Sequence, residues 1–236
     1  MKKFFLFIIC SILMLQNVNA QVGYAPEVGV NFSNMKFEPI YGFTSASTSG
    51  LVGPRFGGIV DLDMGPHIYL QPGAFFSSKG ATRNFSYSYK DTAQTVNETL
   101  RLNYIEVPIN VLFKTGLQGD ARFFFGLGID LEYVVGGSDK LHDFGNNGVD
   151  SFNLNQTSKV AGQGLVANFD IGLNFTLGYE LPSGFYVRGY YTLGVSDISL
   201  YSDMGESDKN YAAGASIGYF FGKNRHHKRV VPPVTE

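Results

Sequence analysis

The chain has a single cysteine and no tryptophan, and only 16% of its 236 residues are charged. One thiol excludes an internal disulfide framework. Charge this sparse, with 44% hydrophobic residues, excludes a disordered chain or a coiled coil, both of which are rich in charge. Basic residues are not in excess either: 18 Lys and Arg stand against 20 Asp and Glu, which leaves nothing to track a phosphate backbone and argues against nucleic acid as a partner. Beyond residue 20 no apolar run approaches the roughly 18 residues of a spanning helix, so insertion into a membrane would have to use strands. The four histidines, His67, His142, His226 and His227, lack the spacing of metal ligands. No serine sits in a Gly-x-Ser-x-Gly elbow, and Gly126-Leu127-Gly128 lacks the rest of a dinucleotide fingerprint. The sequence therefore predicts no catalytic residue, no metal and no cofactor.

What is present is aromatic residues at 15%, 29 glycines and alternation. Lys2 and Lys3 precede an apolar run from Phe4 to Leu15 and a small-residue site ending at Ala20, the pattern of a secretory signal over 1–20. Cys10 lies inside that run, too early to accept a lipid after cleavage. From Val22 onward, apolar and polar residues alternate with period two. In Arg122 to Val134, Phe123, Phe125, Leu127, Ile129, Leu131 and Tyr133 share one face, while Phe124, Gly126, Gly128, Asp130 and Glu132 share the other. Similar segments are expected at Val22 to Phe32, Leu51 to Leu62, His67 to Ser78, Ile105 to Lys114, Leu165 to Glu180, Phe185 to Ser196 and Tyr211 to Phe221. Leu100, Leu102 and Tyr104 run out of phase with Ile105, Val107 and Ile109, which predicts a bulge or an end beyond the bilayer.

Eight such strands are joined by alternating short and long connections. Asp63 to Pro66, Thr115 to Asp120 and Pro182 to Gly184 are tight; Ser33 to Gly50, Lys79 to Asn97, Gly136 to Gly162 and Asp197 to Asn210 are long and polar. This predicts an all-β, eight-stranded antiparallel up-and-down transmembrane β-barrel over residues 21–222, with periplasmic turns, four extracellular loops and a basic periplasmic tail over 223–236. A soluble lipocalin-like barrel for a ligand is the competing architecture; it would alternate too, with its apolar face inward.

The non-apolar face carries Glu27, Arg55, Glu106, Asp130, Glu132, Asp170 and Arg188 among many glycines and almost no lysines, as an enclosed polar lumen would. Counting from the tight turns places Glu106 opposite Asp130, Pro108 opposite Gly128, Asn110 opposite Gly126, Gly178 opposite Arg188 and Gly73 opposite Arg55. Two carboxylates as close as Glu106 and Asp130 would hold a proton, bind a cation or act in acid/base chemistry. The plainer reading, which we favour, is that Arg55, Arg122 and Arg188 neutralise them in an ion-pair plug. Tyr24, Tyr133, Tyr179, Tyr191 and Tyr219 fall on the apolar face and suit an interfacial girdle.

Tyr24 to Asn34 (YAPEVGVNFSN), Ile68 to Gly80 (IYLQPGAFFSSKG), Asn103 to Asn110 (NYIEVPIN), Arg122 to Gly128 (RFFFGLG) and Ala212 to Gly222 (AAGASIGYFFG) together resemble the blocks of the PorT-like outer-membrane β-barrel family of Bacteroidetes. Gly73 stands where that family usually has Glu. The resemblance implies a bacterial outer-membrane barrel; a named member is linked to protein export. The expected partners are outer-membrane lipid, the barrel-assembly machinery that reads a closing-strand signal such as Gly214, Ile217, Tyr219 and Phe221, and an extracellular or periplasmic protein. The chain reads as a monomeric, non-enzymatic membrane protein whose loops make surface interactions, with a role accessory to protein export as the alternative.

Overall fold

The computed structural model describes residues 22–38, 43–89, 92–116, 119–143, 148–154, 169–196 and 207–221. The expected signal segment, the tail at 223–236 and the start of the expected sixth strand at 165–168 lie outside these residues.

Nine strands run in chain order: β1 Val22–Glu38, β2 Phe43–Asp63, β3 Ile68–Tyr89, β4 Thr92–Lys114, β5 Arg122–Asp143, β6 Gly148–Leu154, β7 Phe169–Glu180, β8 Phe185–Gly194 and β9 Ser207–Tyr219. Eight of them close a barrel. Neighbours pair antiparallel from β1 through β5, then β7, β8 and β9, and β9 returns to β1 from Glu27↔Gly218 to Glu38↔Ser207. The strand absent from the sequence reading is β6, which pairs only with the upper part of β5 at 137–143, above the last β5–β7 partners, Tyr133↔Phe169.

Three tight turns share one end with the start of β1 and the close of β9, where Tyr24 bridges Phe221. The β7–β8 turn shows the local cause. Leu181 donates its backbone N–H to Phe185, and Gly184 donates back to Leu181 at φ +93°, a left-handed value that favours glycine.

Two of the long loops are, for the most part, strand. β1 and β2 leave only 39–42 between them, and β3 and β4 only 90–91, with Tyr89 still paired to Thr92. The sequence of Lys79 to Asn97 loses its apolar alternation because it has left the bilayer, yet its Thr, Tyr, Phe and Val residues favour a pleated ladder. At 23 residues β4 is roughly 75 Å long, against about 10 residues for a membrane crossing. These hairpins therefore stand well above the hydrocarbon.

The two faces separate cleanly. Phe123, Phe125, Leu127 and Ile129 are exposed on the outside, as are Val28, Phe32, Phe56, Phe175, Val187 and Ile217, while the alternate positions are buried. An apolar outer wall around a charged interior overturns the soluble lipocalin-like alternative. Leu100, Leu102 and Tyr104 turn inward and are fully buried on the same face as Glu106, so β4 keeps its phase while its lumen side becomes apolar; the irregularity lies on β5, where Val135 is skipped opposite Asn103 and Tyr104.

The expected registers fared unevenly. Gly178 does face Arg188. On β4–β5, however, Glu106 faces Glu132, Pro108 faces Asp130 and Asn110 faces Gly128, two residues from the expected partners. Asp120 and Ala121 both belong to the turn, and Thr115 closes it on Phe123. On β2–β3, Gly73 faces Ile59 and Arg55 faces Ser77, because Pro66 and His67 extend that turn. The Phe75 ring lies against Gly73, in space that a side chain there would need.

Candidate functional site

The lumen is filled by side chains in three layers. At the turn end, Lys114 Nζ lies 2.5 Å from Asp61 and 3.0 Å from Glu180, and Arg122 reaches Glu180 at 2.7 Å while donating to the Tyr69 hydroxyl at 3.0 Å. Gln71 donates to Asp61 and accepts from Arg188. Tyr69, Leu112, Phe124, Tyr186 and Phe220 pack around these charges, with Lys114 Nζ 4.6 Å from the Tyr69 ring centre.

The middle layer holds the seven residues read from the sequence. Glu27, Arg55, Glu106, Asp130, Glu132, Asp170 and Arg188 are all buried and inward. Arg55 bridges two strands' carboxylates, with Nη1 2.9 Å from Glu27 and Nε 2.9 Å from Glu106. Its guanidinium lies 3.5 Å from the Phe75 ring centre. Glu27 also accepts from Tyr186 at 2.6 Å and Ser216 at 2.8 Å, with Arg188 3.6 Å away. Asp170 accepts from Ser196 and Asn210, and Asn210 also donates to the Tyr104 hydroxyl.

Lys79 is the cation that sequence reading missed. Its ammonium lies 2.7 Å from Glu106 and 2.6 Å from Glu132. The sequence pattern makes it the first residue of a loop and the lumen nearly free of lysine; buried Lys79 and Lys114 correct both expectations. The neutralising arginines also divide differently from the expectation. Arg55 serves Glu106, but Arg188 serves Glu27, and Arg122 lies at the turn end on Glu180. Alternation along Ile68 to Lys79 could have found Lys79, since it shares its face with Tyr69, Gln71 and Phe75.

The third layer, Met35, Ala81, Leu100, Leu102, Tyr104 and Val134, is an apolar cluster drawn from β1, β3, β4 and β5 on the extracellular side of the charged layers. Above it Arg83 pairs with Glu98 at 2.8 Å. Asp139, close to Glu98, is held up at about 6 by burial and by the Glu98 charge.

Outside, aromatic rings circle the turn end. Tyr24 stacks on Phe221, Phe221 meets Tyr219, Tyr219 meets Phe185, and Phe123 meets Tyr179. Of the five tyrosines expected in a girdle, Tyr24, Tyr179 and Tyr219 belong to this ring; Tyr133 and Tyr191 are exposed higher on the wall. His67 stacks on Phe113 beside the same rim. His226, His227 and the rest of the basic tail lie outside the described residues.

Residues 16–200 match the outer membrane protein beta-barrel domain, which is more than half of the chain. The chain belongs to that outer-membrane barrel family. The protein is accordingly an integral protein of the bacterial outer membrane. Among solved structures, this outer-membrane barrel is similar to Ail, the attachment invasion locus protein of Yersinia pestis, at 12% identity and a TM-score of 0.39 over 85% of this chain and 99% of that one. It is similar to OprG from Pseudomonas aeruginosa at 10% identity and a TM-score of 0.46 over 86% and 97%. The outer membrane protease OmpT from Escherichia coli is similar at 11% identity and a TM-score of 0.42 over 87% and 99%. No curated protein sequence matches the chain at a significant level.

Proposed function

We propose that this outer-membrane barrel is a non-conducting, non-enzymatic scaffold that presents extracellular hairpins for surface interaction. The observation that carries the reading is the closed lumen. Two charged layers are interlocked across strands with their side chains buried and an apolar cluster on their extracellular side, which supports a filled lumen that takes no substrate. An eight-stranded barrel has room for little more than its own side chains. What extends beyond the membrane is the upper half of β1 through β5, together with β6.

The blocks that resemble the PorT-like family supply much of this filling. Glu27 and Asn31 come from the first, Gln71, Phe75 and Lys79 from the second, Glu106 and Asn110 from the third, and Arg122 and Phe124 from the fourth. That concentration supports placing the chain in the PorT-like branch.

Complementation of a gene deletion tests the proposal. A barrel in which residues 84–97 are replaced by a tight turn should insert normally and fail to restore the deletion phenotype. A lumen variant that still folds, such as Tyr190→Phe, should restore it. Full rescue by the trimmed barrel would overturn the reading.

A further inference from the structure

The middle layer is short of positive charge. Five buried carboxylates, Glu27, Glu106, Asp130, Glu132 and Asp170, face three buried cations, Arg55, Lys79 and Arg188. With every group ionised, two negative charges would be left uncompensated among buried side chains, and isolated buried charge of this kind is costly.

The deficit is localised. Glu106, Asp130 and Glu132 each bring a carboxylate oxygen to within 4.8 Å of the other two. Their proximity follows from the register, since Glu106 and Glu132 are direct partners and Asp130 lies two residues along the same face of β5. Lys79 engages one oxygen of Glu106 and Oε1 of Glu132. Asp130 Oδ1 and Glu132 Oε2 are buried with no hydrogen-bond partner.

A separate observation points the same way. Asn110 of β4 and Asn174 of β7 both pair with Gly128 of β5, two residues below Asp130. The amide oxygen of each is buried and has no hydrogen-bond donor. Gly128 has no side chain to fill the space beside Asn110, whose amide oxygen would collide with one. Three adjacent strands thus present four unpartnered oxygens, two of them anionic, on one side of the lumen. A cluster of unpartnered carboxylate and amide oxygens with a formal excess of two negative charges suits a hard divalent cation, which takes oxygen ligands from carboxylates and side-chain amides.

We propose that Asp130 and Glu132, with Glu106 beside them, bind one divalent cation of the calcium or magnesium type inside the lumen, through carboxylate oxygens that Lys79 does not engage. The ion is a structural staple joining β4, β5 and β7. Because the carboxylates are buried among side chains, the ion enters as the barrel closes and exchanges slowly afterwards.

The test uses full-length barrel refolded into detergent free of lipopolysaccharide, so that lipid-bound metal does not contribute. Refolding in calcium or magnesium, removal of free ion and elemental analysis should find about one ion per chain, and thermal unfolding should rise by roughly 5 °C over protein refolded in EDTA. Asp130→Asn/Glu132→Gln should fold without retaining the ion and should unfold at the same temperature with and without it. Glu98→Gln, above the apolar cluster, should retain the ion as wild type does and keep the same gap in unfolding temperature between metal and EDTA, whatever loss of its pairing with Arg83 costs overall. Wild-type barrel with no retained ion and identical unfolding in EDTA and in either metal would overturn the proposal, leaving protons or water to satisfy these oxygens. Equal metal retention by wild type and the double variant would overturn it too. If the double variant does not refold, the wild-type metal content and the EDTA comparison still decide.

Discussion

Tyr190 of β8 occupies the space that Gly214 leaves on the facing position of β9, and its hydroxyl donates to Asn31 of β1. The same exchange recurs four residues along each strand, where Tyr186 lies over Gly218 and bonds to Glu27. Glycine on the closing strand is what lets large side chains of its neighbour cross the lumen. Gly214→Val should force Tyr190 off its partner and cost about 1–3 kcal/mol, as overpacking does. Gly189→Ala on the outer face, where an added methyl meets nothing closer than 4.0 Å, should cost nothing measurable. Urea unfolding of the two variants in lipid vesicles separates them.

Removing Lys79 strands Glu132 and leaves Glu106 with Arg55 alone. Lys79→Met should lower stability by about 3–5 kcal/mol, the range for breaking a buried ion pair from one side. Half-buried Arg101, which donates to the Val52 backbone at 3.1 Å and has no carboxylate partner among the described residues, should tolerate replacement by alanine with far smaller loss. Comparable losses in the two variants, measured as unfolding midpoints, would contradict the plug.

Above the bilayer, acid has a predictable sign. Asp139 keeps its proton up to a pH of about 6 in the folded protein, because of burial and the Glu98 charge. The unfolded chain releases that proton near the ordinary value of about 4. The folded state therefore binds more protons between these values, so this residue's contribution to stability falls as pH rises from about 4 to about 6 and is flat above. Asp139→Asn should remove that slope and raise stability at neutral pH. Unfolding midpoints across this pH range, in wild type and variant, give the comparison.

The outer wall is tested by a charge in its apolar band. Leu127 is 60% exposed in the bare protein and faces lipid in the membrane. Leu127→Arg should cost about 2–4 kcal/mol in a bilayer. Refolding yield in vesicles against detergent should show the penalty mainly in the vesicles.

Alternation alone made the barrel legible, because each strand inside the membrane must present grease outward and small or charged groups inward. Arg122 to Val134 contains the whole argument. The projecting hairpins were not legible. Once a strand leaves the bilayer neither face need be apolar, so residues such as Thr82, Arg83 and Asn84 read as loop although they continue the ladder. Lys79 sits at that boundary and was lost with it. Of the lumen, the seven middle-layer residues could be read as one face. Their pairing could not, since one turn residue more or less moves every partner, as it did for Glu106 and Glu132.

The central claim is that side chains close the lumen from end to end. Conductance across a planar lipid bilayer containing the refolded barrel tests it most directly. The structure predicts a silent membrane, with no current steps above the lipid baseline at potentials that leave the barrel folded. Reproducible ohmic steps from the wild-type protein would contradict it.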